Sequence, residues 1–156
     1  MTPSDAAFLL RLLNEPSWLE NIGDRGVRSC AEAEDYINKS IRAQFEAHGY
    51  GMYALQLRST GMAIGICGLV KRDFLSAPDL GFALLSAYVG QGYATEAAQR
   101  MMSHSEENLG ITRLYAITKP GNHRSVRVLE RLGFRYQGPC PVPQGVEVEL
   151  YATGCP

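Results

Sequence analysis

"YVGQGYATEA" runs from Tyr88 to Ala97. Gly90, Gly92 and Ala94 alternate with larger residues, and a helix-like stretch follows. Small residues at that spacing let a ligand approach the backbone closely. A P-loop would need G-x-x-x-x-G-K-[ST], and no lysine follows Gly92. A dinucleotide fingerprint would need a third glycine where Thr95 stands, and an acidic residue for the ribose after "RLYAIT", where there is none. The remaining ligand reading is a pyrophosphate cradle. In it, the N–H groups from Gly90 to Thr95 face an anion at the positive end of the following helix. Taken alone, the loop also fits a capped turn that binds nothing.

The chain has 156 residues, read as one domain over 1–156. Hydrophobic residues make up 46% and charged residues 20%, a globular rather than a disordered composition. The net charge is −1 with no basic block, which argues against nucleic acid as a partner. No apolar run has the length of a membrane span, and the first residues lack the pattern of a secretory leader. The expected location is therefore cytoplasmic, with no membrane partner. Cys30, Cys67, Cys140 and Cys155 form no C-x-x-C pair and read as buried or idle thiols. No metal site is expected from them or from His48, His104 and His123.

The first helix is predicted over "AAFLLRLLN" and ends at Pro16, before a turn region holding Trp18. Ser29 and Glu32 form a capping-box pattern that opens a helix to about His48. "MYALQL", "MAIGICGLV" and "DLGFALL" read as three strands of an antiparallel meander. "TEAAQRMMSHSEENLG" is a helix stopped by Gly110, and "RLYAIT" is a strand. "NHRSVRVLERLG" is a helix with Asn122 at its N-cap, and "FRYQG" and "VEVELYA" close the chain as strands. The order implies an α+β fold with a mixed sheet, because the β-α-β stretch from 79 to 117 needs a parallel crossover.

"NHRSVRVLERLGF" together with "GQGYATEA" resembles the GNAT superfamily of N-acetyltransferases, and within it the RimJ/RimL type. "ICGLVKR" and "DLGFALL" look like that group's central strands, and the resemblance covers roughly residues 3 to 151. It implies the acyl-coenzyme A N-acyltransferase fold with a splayed central sheet. Such proteins usually open on an edge strand before the first helix; this chain begins at the helix, so the expectation is that the strand is missing or that the start is truncated or misassigned. In the signature Q/R-x-x-G-x-G/A the first position is Val89 here.

The resemblance implies acetyl-coenzyme A as co-substrate and an amine as acceptor, either a protein N-terminus or a small molecule. It places the pyrophosphate on Val89, Gly90, Gln91, Gly92, Tyr93, Ala94 and Thr95. The pantetheine arm would lie along Leu84 and Leu85, with the Leu84 N–H facing the thioester oxygen. Asn122 would contact the arm as well as cap its helix. Ser125, the serine of N-x-x-S, is the choice for protonating or holding the leaving thiolate; Leu129 stands where many relatives carry a tyrosine. The attacking amine must be neutral, so a base is sought. Asp79 is ranked first, then Glu147 or Glu149, which strand alternation puts on one face. The RimL-type base would align near Gln144, which takes no proton. Trp18, Asp24 and the "CPVPQG" loop are the expected acceptor walls. A non-catalytic acyl-coenzyme A binder or sensor stays open as the alternative, and monomer and homodimer are equally compatible.

Overall fold

The computed structural model describes residues 1–143, 145 and 147–154. Gln144 and Cys155 lie outside the described residues. A 3₁₀ turn, Pro3–Asp5, leads into α1 (Ala6–Leu13), which buries Ala6, Leu9, Leu12 and Leu13 at helical spacing. The expected stop at Pro16 is also a start, because Pro16 is the first residue of α2 (Pro16–Asn21). A proline's fixed φ and missing N–H suit that first position. Trp18 is therefore helical and buried rather than in an open turn, and its indole N–H donates to the Gly23 carbonyl at 3.0 Å. Next, α3 (Cys30–Tyr36) starts on Ser29, whose hydroxyl accepts from the Glu32 N–H at 3.2 Å. A π-helical segment, Ile37–Arg42, carries it into α4 (Ala43–His48).

The meander follows as β1 (Met52–Gln56), β2 (Ala63–Val70) and β3 (Asp79–Leu84), each antiparallel to its neighbour. The long helix α5 (Tyr93–Leu109) crosses to β4 (Tyr115–Thr118), which runs parallel to β3. Then α6 (His123–Arg131) leads to β5 (Arg135–Pro141) and β6 (Glu147–Ala152). The six strands lie in the order β1-β2-β3-β4-β6-β5, a mixed sheet with β1 at one edge.

Each face of the sheet carries its own core. Leu9, Leu12, Trp18, Ile37 and Ile41 from the early helices pack with Ile66 and Leu85. On the other face, Ala98 and Met101 of α5 and Leu129 of α6 pack with Cys67, Leu69, Leu80 and Tyr151. With both faces covered, β2 is buried along nearly its whole length. Cys67 lies in the second core, where burial pushes its thiol up to about 12; Cys30 is exposed. Among the described residues no helix is long and apolar enough to cross a membrane.

Candidate active site

Parallel strands β3 and β4 pair in register at one position, Asp79 against Tyr115, and then part. The Tyr115 N–H donates to the Pro78 carbonyl at 2.8 Å. The next β4 N–H on that side, from Ile117, donates instead to the Asp79 side chain at 3.2 Å. Beyond that point a gap opens between the strands.

The β3 edge facing the gap offers donors. The Leu85 N–H points back to β2 and donates to the Ile64 carbonyl at 2.9 Å. Successive N–H groups of a strand alternate sides, so those of Leu84 and Phe82 point into the gap. Leu84 and Phe82 are therefore the β3 residues whose N–H groups face the gap. Leu85 is corrected: its side chain is buried with α1 and Trp18, and its N–H is engaged on β2, so it offers the gap neither group.

Because β3 and β4 are parallel, their C-terminal ends lie at one end of the gap, and the helix following each strand starts there. At the first, Gly90 and Gly92 hold φ of +82° and +89°, values that side chains with a Cβ rarely adopt. A Cβ built at either would meet nothing within 4 Å, so the loop has open space beside it. Gly92 is the N-cap of α5 and supplies no capping side chain. The Glu96 N–H is the first to reach a backbone carbonyl, that of Gly92 at 3.0 Å. The Tyr93, Ala94 and Thr95 N–H groups precede it, without a cap, at the positive end of a 17-residue helix. Gln91 folds onto its own loop through a 2.9 Å bond to the Ala87 carbonyl, and the half-buried Val89 donates to Ser86 at 3.3 Å. The loop is thus fixed by bonds that leave its donors outward.

At the second start, the Asn122 side chain accepts from the Ser125 N–H at 3.2 Å and caps α6. Ser125 is half-buried in the first turn. Arg124 and Arg127 are exposed on the same helix.

The structure separates the three carboxylates. Asp79 is 2% exposed. One of its oxygens accepts from Ile117, and the other pairs with Arg72 Nε at 2.5 Å. Burial raises its pKa, while Arg72 and the Ile117 N–H pull it back. A base must be reachable by the amine, so the expectation that Asp79 is the base is corrected by its burial and its two engaged oxygens. Glu147 is exposed on β6. Glu149 is half-buried beside Thr118 of β4 and accepts from the Tyr151 hydroxyl at 3.3 Å. Desolvation and the Glu149 charge push the Tyr151 hydroxyl up to about 12, so it stays a neutral donor to that carboxylate.

Helix α2 spans the open end of the gap, a feature the sequence reading missed. Glu15, at its N-cap, accepts from the Ser86 N–H at 3.3 Å and from the Ser86 hydroxyl, just past β3. At its other end the Glu20 carbonyl accepts from Lys119 Nζ at 2.9 Å, just past β4. Leu19 and Ile22 remain exposed on this arch. Asp24 is tied into an exposed ion pair with Arg28.

Residues 1–135 match the family model described as an acetyltransferase (GNAT) domain. The chain is 24% identical over 139 residues to p20 of Bacillus licheniformis, an uncharacterized N-acetyltransferase, covering 88% of this chain and 78% of that protein. It superposes on RimL, a ribosomal alpha-N-protein acetyltransferase solved in complex with coenzyme A. That TM-score is 0.83 at 20% identity, over 98% of this chain and 90% of RimL. It also superposes on the aminoglycoside acetyltransferase AAC(6')-Ib in complex with coenzyme A. There the TM-score is 0.78 at 20% identity, over 98% and 91% of the two chains.

Proposed function

Since the chain belongs to the GNAT acetyltransferase family and is an N-acetyltransferase, we propose that it transfers the acetyl group of acetyl-coenzyme A directly to a primary amine in a ternary complex. One observation carries this reading. The β3 edge past its pairing at Asp79 and the uncapped start of α5 both present backbone N–H donors, those of Phe82 and Leu84 at one and those of Tyr93, Ala94 and Thr95 at the other, with a short 3₁₀ turn between them. A long ligand with amides at one end and a pyrophosphate at the other matches those two sets of donors. The residues present fit coenzyme A, because the open space beside Gly90 and Gly92 lies where phosphates would meet the α5 N–H groups.

When bound, acetyl-coenzyme A supplies an activated acyl group; the chain's own residues supply orientation and proton handling. The N–H groups of Phe82 and Leu84 orient the arm and stabilise the charge that develops on the thioester oxygen. Asn122 fixes the first turn of α6, and Ser125 there donates a hydrogen bond to the departing sulfur. Glu149 is the base in this reading, acting directly or through a water, with Glu147 further out on the same strand face. The α2 arch, with Trp18 buried beneath it and Leu19 and Ile22 exposed, forms one acceptor wall. The loop entered from Pro141 forms the other. The paired motifs and the RimL superposition support a RimJ/RimL-like acceptor, a free protein N-terminus; the AAC(6')-Ib superposition supports a small amine instead.

Calorimetric titration with acetyl-coenzyme A, with NADH as control, tests the reading. Binding of the first alone supports it, and binding of neither overturns it. Thiol release is then followed over a panel of short peptides with free N-termini and of small primary amines. Binding without thiol release on any of them favours the sensor alternative. On the active acceptor, Ser125→Ala lowers kcat about 100-fold with little change in acetyl-coenzyme A affinity; an unchanged kcat removes Ser125 from the chemistry. Glu149→Gln lowers kcat about 100-fold on the same acceptor, and an unchanged kcat removes Glu149 as the base.

A further inference from the structure

We propose that Asp79 is a positioning residue, a wedge whose carboxylate intercepts the second rung of the β3–β4 ladder and holds the cofactor gap open. This rests on the coenzyme A reading of the gap. In a regular parallel pair set by Asp79 against Tyr115, the Ile117 N–H would donate to the Leu80 carbonyl. It donates instead to Asp79 Oδ1 at 3.2 Å, so a side-chain oxygen stands where the next backbone rung would form.

The wedge is braced by an arginine. Arg72, in the link between β2 and β3, meets Asp79 Oδ2 through Nε at 2.5 Å, and its side chain is 30% exposed while that of Asp79 is 3% exposed. A buried carboxylate is costly unless it is paired and hydrogen-bonded, and here both oxygens are engaged. An apolar residue would fill the same space with no such penalty, but it would leave the Ile117 N–H to seek the Leu80 carbonyl. That bond would extend the ladder and draw β4 toward Phe82 and Leu84, the donors that must stay unpaired to receive the arm. Asp79 thus acts through the width of the gap and never touches the amine.

The test compares the full chain with Asp79→Asn, Asp79→Leu and Arg72→Gln. Three readouts are taken on each: the dissociation constant for acetyl-coenzyme A by calorimetry, the melting temperature, and the ¹⁵N–¹H resonance of Ile117. Asparagine keeps an oxygen for Ile117, so Asp79→Asn is expected to bind within about threefold of wild type. Asp79→Leu is expected to lose tenfold or more in affinity, with a large shift of the Ile117 amide. Arg72→Gln, which leaves the carboxylate but removes its brace, falls between them and keeps the comparison decisive if the leucine variant does not fold. The proposal is overturned if Asp79→Leu, or Arg72→Gln in its place, binds as wild type with the Ile117 resonance unmoved. It is overturned equally if the variants lose melting temperature while their folded fraction binds normally. Failure of wild type to bind acetyl-coenzyme A overturns the cofactor reading instead. The Ile117 resonance still reports on the wedge in that case.

Discussion

Gly92→Val is expected to abolish measurable binding of acetyl-coenzyme A while leaving the protein folded. In the free chain a Cβ at Gly92 meets no atom within 4 Å, so it does not clash inside the protein. Its branches would occupy the space beside the N–H groups of Tyr93, Ala94 and Thr95, where the ligand's phosphates are proposed to sit. Loss of two hydrogen bonds to a charged group, each worth about 1.5–3 kcal/mol, amounts to a hundredfold or more in affinity. The φ of +89° adds a cost of about 1–2 kcal/mol for a residue with a Cβ, which lowers the melting temperature by about 2–8 °C. The two effects separate cleanly by calorimetry and thermal melting. Wild-type affinity in a folded Gly92→Val protein would mean that the pyrophosphate does not sit at this helix start.

The second large effect is on stability, at Gly68. Here the backbones of β1 and β2 approach so closely that a Cβ collides with the Gly51 carbonyl and comes within 2.7 Å of Met52 Cα. Neither is the movable end of a side chain, so the strands must separate. Gly68→Ala is expected to lose about 3 kcal/mol, seen as a fall of about 6–12 °C in melting temperature. Gly81 supplies the control on the neighbouring strand. A Cβ there touches only Met52 side-chain atoms at 3.7 and 3.8 Å, an ordinary contact. Gly81→Ala should melt within about 2 °C of wild type. Equal melting of the two variants would contradict the close β1–β2 approach.

These two glycines look alike in the sequence, and so do the carboxylates. Asp79 in "PDLGF" carries no local sign of burial. Its fate is set by Arg72, seven residues earlier, and by the Ile117 N–H, 38 residues later. Its place in the family resemblance made it the first choice for the base, whereas its neighbours make it a strut. Leu85 failed as a cofactor contact for a related reason. Which side a strand N–H faces depends on pairing register, and only the bond to Ile64 reveals it. Helix α2 was missed because a proline that ends one helix is also well suited to begin another.

What the sequence determined by itself was local or periodic. The glycine loop, the Ser29 and Asn122 caps, the helix faces and the strand alternation all follow from the conformational limits of neighbouring residues. The paired motifs added the family likeness. The tertiary structure alone decided which donors face the gap, what holds β3 and β4 apart, and that α2 bridges the ends of both strands. Each of these depends on groups distant in the chain meeting in space, where burial and pairing change what a given side chain is able to do.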